Sequence, residues 1–215
     1  MPIRILLADD HTLMRQGLRH ILEDSPEFDV VAEASSGIEA VDAAREHKPD
    51  IAIVDVAMKE LNGIEATSQI IRNSPHTLVL ILSMHSDERY VLRAVKAGAR
   101  GYLLKNSAGD ELRKAILDVY KGQTFFSPSV AALLQHGSAY FNDPGGINDR
   151  FELLTNRERQ IYQLLAEGNS NKDIANRLNL SLHTVETHRW RIMEKLDLHS
   201  TADLVLSAVR RGMVS

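Results

Sequence analysis

Three carboxylates stand where two apolar runs end. Asp9 and Asp10 close the run Ile3 to Ala8, and Asp55 closes the run Ile51 to Val54. An apolar run of that length that stops on an acid reads as a buried parallel strand whose C-terminal tip reaches solvent. Ligands of open α/β sheets bind at such tips. Clustered carboxylates repel one another unless a hard cation lies among them, and an all-oxygen set suits Mg²⁺. Ser83 ends another apolar run and Lys105 follows a further one, which brings a hydroxyl and an ammonium to the same end. Together these are the parts of a phosphoryl-transfer site. A cation neutralises the anionic phosphoryl group, Asp55 attacks phosphorus, and Lys105 and Ser83 hold the transferred oxygens.

The elements that must position these residues are legible over residues 3 to 121. Ile3 to Ala8, Val30 to Ala34, Ile51 to Asp55, Leu78 to Ser83 and Gly101 to Leu104 read as strands. Between them, Leu13 to Leu22, Ile38 to Glu46, Ile64 to Arg72, Glu88 to Ala97 and Glu111 to Tyr120 carry apolar residues at three- and four-residue spacing, the mark of amphipathic helices. Five βα units predict an α/β doubly wound, five-stranded parallel sheet, order 2-1-3-4-5, with helices on both faces. That order sets the first and third strands side by side at the switch point, where Asp9, Asp10 and Asp55 meet.

After residue 122 the rhythm stops. Ser127-Pro128 opens a short helix through Gln135, and 136 to 149 is rich in Gly, Ser, Asn and Pro, with Asp143-Pro144-Gly145-Gly146 as a turn or hinge. The expected organisation is a first domain over 1–122, a linker with a short helix over 123–150, and a small all-α helix-turn-helix domain over 151–215. Charge divides the same way: residues 150 to 215 hold 10 basic and 8 acidic side chains, a balance of +2, whereas the front has 15 basic and 21 acidic, or −6. The whole chain carries −4 and is 44% hydrophobic, ordinary for a globular protein. There is no cysteine, which excludes disulfides, thiolate metal sites and cysteine nucleophiles. No apolar stretch approaches the roughly 20 residues of a membrane span and the N-terminus lacks a signal-peptide pattern, so a cytoplasmic protein with no membrane partner is expected.

In the last third, Thr155 and Glu158 form a capping box, Gly168 stops a helix, and Leu178-Asn179-Leu180-Ser181 joins two helices, with Ser181 capping the second. Val185, Ile192 and Leu196 fall on one face of that second helix and predict burial against Ile161, Leu164, Leu165 and Ile174. Thr184, Glu186, Thr187, His188, Trp190 and Arg191 then point mostly outward. A helix with an outward tryptophan among basic side chains fits the DNA major groove. Basic side chains there, with Lys172 before it and Lys195 near its end, would contact phosphates, and Thr187 and Trp190 are the better candidates for base edges.

The motifs Leu7-Ala8-Asp9-Asp10-His11, Val54-Asp55-Val56-Ala57-Met58, Leu82-Ser83 and Gly101-Tyr102-Leu103-Leu104-Lys105 resemble a two-component response-regulator receiver domain. The final segment resembles a LuxR-type DNA-binding domain, and the chain as a whole resembles regulators of the NarL/FixJ type. The resemblance implies that Asp55 is the phosphoacceptor and that Asp10, Asp55 and the main-chain carbonyl of Ala57 bind Mg²⁺, with Asp9 holding it through water. It implies that Ser83 and Tyr102 form a switch pair in which hydroxyl and ring turn inward together. It further implies a sensor histidine kinase as phosphodonor, a double-stranded DNA operator, and a homodimer on activation with the last helix, about Ala202 to Val209, as a contact. Two residues depart from the pattern: Lys59 stands where proline usually follows Met58, and Glu186 where many relatives carry a DNA-contacting lysine. Glu186 repels phosphate but can accept from cytosine N4.

Two other readings fit part of the same sequence. A Mg²⁺-dependent phosphatase with Asp55 as nucleophile lacks a second acid two residues on, since Ala57 sits there. A regulator of the same architecture that works without phosphorylation is opposed only by the intact acidic set. Singly, each residue has an ordinary role: Asp9 or His11 as a helix cap, Ser83 as a satisfied hydroxyl, Lys105 as a solvated charge, Tyr102 as core.

Overall fold

The computed structural model describes residues 1–84, 86, 88–136, 150–211 and 213–214. The chain forms two compact units, Met1–Asn142 and Asp143–Ser215. In the first, strands β1 (Ile3–Ala8), β2 (Phe28–Ala34), β3 (Ile51–Asp55), β4 (Leu78–Ser83) and β5 (Gly101–Leu104) alternate with helices α1 (Thr12–Glu23), α2 (Gly37–His47), α3 (Gly63–Asn73), α4 (Glu88–Lys96) and α5 (Ala108–Tyr120). All strands pair in parallel, in the order β2-β1-β3-β4-β5-β6.

The sixth strand departs from the expected five. β6 (Phe125–Phe126) pairs Phe125 with Gly101 and Phe126 with Tyr102, and α6 (Pro128–His136) follows it. Residues 123–136, assigned to the linker by sequence, therefore extend this sheet and its cover, with Val130 of α6 fully buried in the same core as α4. The Asp143-Pro144-Gly145-Gly146 turn lies outside the described residues.

Alternation along each strand divides the core. Ile5, Leu7, Ile51, Ile53, Leu80, Leu82 and Leu103 point to the face covered by α1 and α5. Leu6, Ala8, Ala52, Val54, Val79, Ile81 and Tyr102 point to the face covered by α2, α3 and α4. Strands buried on both faces are uniformly apolar, which is why their ends are marked so sharply by acids.

The second unit is helical: α7 (Asn156–Ala166), α8 (Asn171–Leu178), α9 (Leu182–Leu196) and α10 (Thr201–Arg210), preceded by a 3₁₀ turn, Arg150–Leu153. Val185, Ile192 and Leu196 of α9 are buried with Ile161, Leu164, Leu165 and Ile174, as the apolar spacing predicts. Gly168 stops α7 at φ +86°, and Asn179 turns α8 into α9 at φ +51°. Phe151 was not foreseen. It is fully buried, meets Tyr162 edge-on at 5.5 Å, and lies beneath the guanidinium groups of Arg159 and Arg211 at 5.2 and 4.9 Å.

The Thr155–Glu158 capping box is present and does more than cap. Glu158, 3% exposed at its side chain, accepts from the Thr155 N–H at 2.7 Å and from Lys195 Nζ of α9 at 2.6 Å. Burial pushes its pKa up, but Lys195 and the two Thr155 donors outweigh burial and hold it below the ordinary glutamate value. A depressed carboxylate contributes stability that is present above its unfolded value and lost as pH falls through its folded one. Glu158→Gln is therefore expected to lower stability by about 1–2 kcal/mol near pH 7, with the difference from wild type narrowing below about pH 4.5. Urea unfolding of both proteins across pH 3 to 7 checks this; a gap independent of pH contradicts it.

Candidate functional site

Strand register brings the predicted chemistry together. Ala8 pairs with Val54, Asp55 with Leu82, and Ser83 with Leu104. Each step sets the next residue at the same edge, so Asp9, Asp55, Ser83 and Lys105 crowd one end of the sheet. Lys105 Nζ lies 2.8 Å from Asp9 Oδ2 and 2.8 Å from Asp55 Oδ2, and all three side chains are 4% exposed or less. Burial is the largest influence on both ends of this pair. It pushes the Asp55 carboxyl up beyond what Lys105 pulls down, with Asp9 adding to the rise and the Ala57 N–H opposing it. For Lys105, burial is outweighed by the two carboxylates, which hold the ammonium above its ordinary value. The two directions favour opposite charge states of one pair; the charged Lys105 is the firmer, because one ammonium serves two acids and Asp55 bears the remaining cost of desolvation.

Asp10 and His11 complete the group. A ligand atom from each of Asp9, Asp10, His11 and Asp55 lies within 4.8 Å of the others. The His11 N–H donates to Asp9 Oδ1 at 2.8 Å, and its ring Nδ1 stands 2.8 Å from Asp10 Oδ1. His11 occupies the position before α1, makes no side-chain cap bond there, and is largely exposed. Asp9 Oδ2 and Asp10 Oδ1 are buried and neither receives a well-directed hydrogen bond among the described residues, despite Lys105 and the His11 ring nearby. Buried carboxylate oxygens left in that condition, in an oxygen-rich cluster, fit a hard divalent cation such as Mg²⁺.

Ser83 and Tyr102 are both fully buried. Tyr102 faces the α4 side in one core with Tyr90, Val91 and Ala94, so the ring is already inward. Ala57 approaches Asp55 through its backbone. Lys59 is exposed on the loop after Asp55, where its carbonyl accepts from the Leu61 N–H at 2.7 Å.

Three supports of this pocket escaped the sequence reading. A Cβ on Gly63 would stand 1.9 Å from the Asp55 carbonyl oxygen, and one on Gly37 would stand 1.8 Å from that of Leu61. The loop from Asp55 to α3 is thus held between two glycines. Arg15, on α1, donates from Nη1 to the Asp9 carbonyl at 2.6 Å and from Nε to Glu33 of β2 at 2.9 Å, which fixes the turn carrying Asp9 and Asp10. The glycines look like ordinary helix starts in sequence, and the partner of Arg15 lies on another strand.

In the second unit, Trp190 is 63% exposed, and Lys172, Glu186 and Arg191 are exposed. Thr184 and Thr187 are half-buried: Thr184 Oγ1 lies 2.7 Å from Ser181 Oγ, and Thr187 Oγ1 donates to the His183 carbonyl at 2.9 Å. His188 is half-buried; burial, chiefly, lowers its proton affinity, with Glu158 opposing. Lys195 is half-buried, and its ammonium is paired with Glu158 at 2.6 Å. Arg189, one of the basic residues flanking Trp190, bridges α9 to Thr201 at the start of α10 at 2.9 Å and reaches Asn171 of α8 at 3.5 Å.

A parallel sheet ending in a buried acid–lysine pocket, in one chain with a helix-turn-helix unit, defines a class, and comparison with known proteins agrees. Residues 5–117 match the response regulator receiver domain, and residues 152–208 match the bacterial regulatory proteins of the luxR family. The chain belongs to the response regulators and is one that controls transcription through a LuxR-type DNA-binding domain. It is 40% identical over 215 residues to the oxygen regulatory protein NreC of Staphylococcus haemolyticus, covering 99% of each chain. It resembles the crystal structure of a LuxR-family two-component response regulator from Aurantimonas sp. SI85-9A1 at 37% identity and a TM-score of 0.62, over 65% of this chain and 99% of that one. It also resembles the response regulator RcsB in its complex with DNA, at 27% identity and a TM-score of 0.59, over 97% and 100% of the two chains.

Proposed function

We propose that Asp55 accepts a phosphoryl group from a sensor histidine kinase and that this modification drives dimerisation and binding to a DNA operator. The observation that carries the reading is Lys105 Nζ at 2.8 Å from both Asp9 and Asp55 at the sheet edge. An Asp55 oxygen attacks phosphorus, the bond from phosphorus to the donor breaks, and the donor leaves with its electron pair. Lys105 and the Ser83 hydroxyl hold the phosphoryl oxygens, and Tyr102 packs behind them. Asp10, Asp55 and the Ala57 carbonyl would hold Mg²⁺, with Asp9 behind water. When bound, the ion supplies positive charge against the phosphoryl oxygens.

The unit over 1–122 is the receiver, 123–150 the connection whose first half is tied to the receiver sheet by β6 and α6, and 151–215 the DNA reader. In that reader α9 enters the major groove, with Lys172, His188 and Arg191 toward phosphates and Thr184, Glu186, Thr187 and Trp190 toward base edges. Lys195, held by Glu158, serves DNA binding chiefly by fixing α9. On α10, Ala202, Leu206 and Val209 are exposed beside the half-buried Val205, an apolar stripe at helical spacing suited to a second copy. Half-sites about 10 base pairs apart would put two such helices on one face of the duplex.

The protein is a switch rather than an enzyme with turnover, since Ala57 offers no general acid near Asp55. No helix among the described residues is long and apolar enough to cross a membrane, and an operator-binding regulator works in the cytoplasm, where the DNA is. Incubation with acetyl phosphate and Mg²⁺ is expected to add one phosphoryl group to wild type and none to Asp55→Asn by intact mass. Equal uptake by both would place the modification elsewhere.

A further inference from the structure

Ser127 stands where β6 turns into α6, and its polar groups reach across to β5. Its N–H donates to the Tyr102 carbonyl at 3.1 Å. In a regular parallel ladder the next bond would run from the Leu104 N–H to the Ser127 carbonyl. That carbonyl has instead turned into α6, where it accepts from the N–H groups of Val130 and Ala131 at 2.8 and 2.9 Å. The hydroxyl takes its place, with Ser127 Oγ accepting from the Leu104 N–H at 3.3 Å. The same hydroxyl donates to Glu111 Oε2 of α5 at 2.8 Å, and the Ser107 hydroxyl donates to that oxygen at 3.1 Å. Ser127 is 2% exposed, so water is a poor substitute for these partners.

One buried serine thus grips the backbone between Tyr102 and Lys105 through its N–H and hydroxyl, and the first turn of the helix leading out of the receiver through its carbonyl. Phe126 of β6 and, further along α6, Leu134 border a cleft of about 550 Å³ shared with Ile71, Val95 and Ala99. The helix is pinned at its start and incompletely packed beyond it.

We propose that Ser127, held by Glu111, is a positioning residue that couples the Lys105 segment to α6. A shift of Lys105 toward a phosphoryl group on Asp55 pulls on the Leu104 N–H, loosens its bond to Ser127 Oγ, and frees the first turn of α6. The inference rests on Asp55 being the phosphoacceptor.

Hydrogen exchange of α6 in the full chain, with and without acetyl phosphate and Mg²⁺, tests it when intact mass is recorded on the same samples. In wild type, phosphoryl uptake is expected to speed exchange at Val130 and Ala131 by about threefold or more. Ser127→Ala is expected to take up phosphate, exchange fast at those amides beforehand, and gain less than about half of the wild-type response. Glu111→Gln, which keeps the size of the partner and weakens its acceptor, is expected to fall between them and carries the test if Ser127→Ala does not fold. A full wild-type response in either variant, or phosphorylated wild type without any change in α6, overturns the coupling and leaves the Asp55 reading standing. Absence of phosphoryl uptake by wild type overturns the Asp55 reading and the coupling with it.

Discussion

Gly63→Ala is expected to destabilise the receiver by about 3 kcal/mol or more and to slow phosphorylation of whatever folds. The added methyl would stand 1.9 Å from the Asp55 carbonyl oxygen and 2.8 Å from its carbon, and both are backbone atoms of a central strand. No rotamer relieves such a clash; either α3 or the end of β3 has to move. Because Asp55 lies at the tip of β3, movement there displaces its carboxylate from Lys105. Gly17→Ala is the control, since a Cβ there meets nothing within 4 Å and the residue sits inside α1. That change is expected to be neutral or to stabilise by up to about 1 kcal/mol. Urea midpoints of the two variants check the pair, and equal midpoints would contradict the close approach of α3 to Asp55.

Trp190→Ala and Arg191→Ala are each expected to weaken DNA binding by about tenfold or more with little change in folding stability. Both side chains are exposed on α9, opposite Val185, Ile192 and Leu196, so their removal takes nothing from the core. An exposed tryptophan costs solvation unless a partner covers it, and its flat apolar ring suits base methyls and sugars. Arg191 supplies a phosphate contact, so its loss should reduce the salt dependence of binding by about one charge, whereas Trp190→Ala should leave that slope intact. Gel-shift titrations across salt concentrations separate the two. Unchanged affinity for both would sink the assignment of α9 to the groove.

Sequence alone exposed the parts of this molecule that repeat locally. The first, third, fourth and fifth strands were read to the residue because two-sided burial makes each an unbroken apolar run closed by Asp9, Asp55, Ser83 or Lys105. β2 was read two residues short at its start, where exposed Asp29 interrupts the apolar pattern. β6 was missed because two phenylalanines set no period, and only Gly101 and Tyr102 across the sheet make them a strand. The chemistry of the pocket was visible as residue types at strand ends, but its supports were not. Gly37 and Ser127 act on backbone atoms far away in sequence, and Gly63 and Arg15 on the Asp55 and Asp9 carbonyls across irregular turns, and such pairings leave no periodic pattern. The partner of Lys195 was hidden for the same reason, since Glu158 stands 37 residues earlier in the chain.

The central claim is that phosphate on Asp55 changes the state of assembly, and sedimentation of wild type and Asp55→Asn before and after acetyl phosphate and Mg²⁺, with intact mass on the same samples, tests it most directly. The account predicts that wild type gains one phosphoryl group and moves from monomer toward dimer, while Asp55→Asn gains neither mass nor partner. A wild type that carries the phosphoryl group and sediments as before, or an Asp55→Asn protein that dimerises on the same treatment, would contradict it.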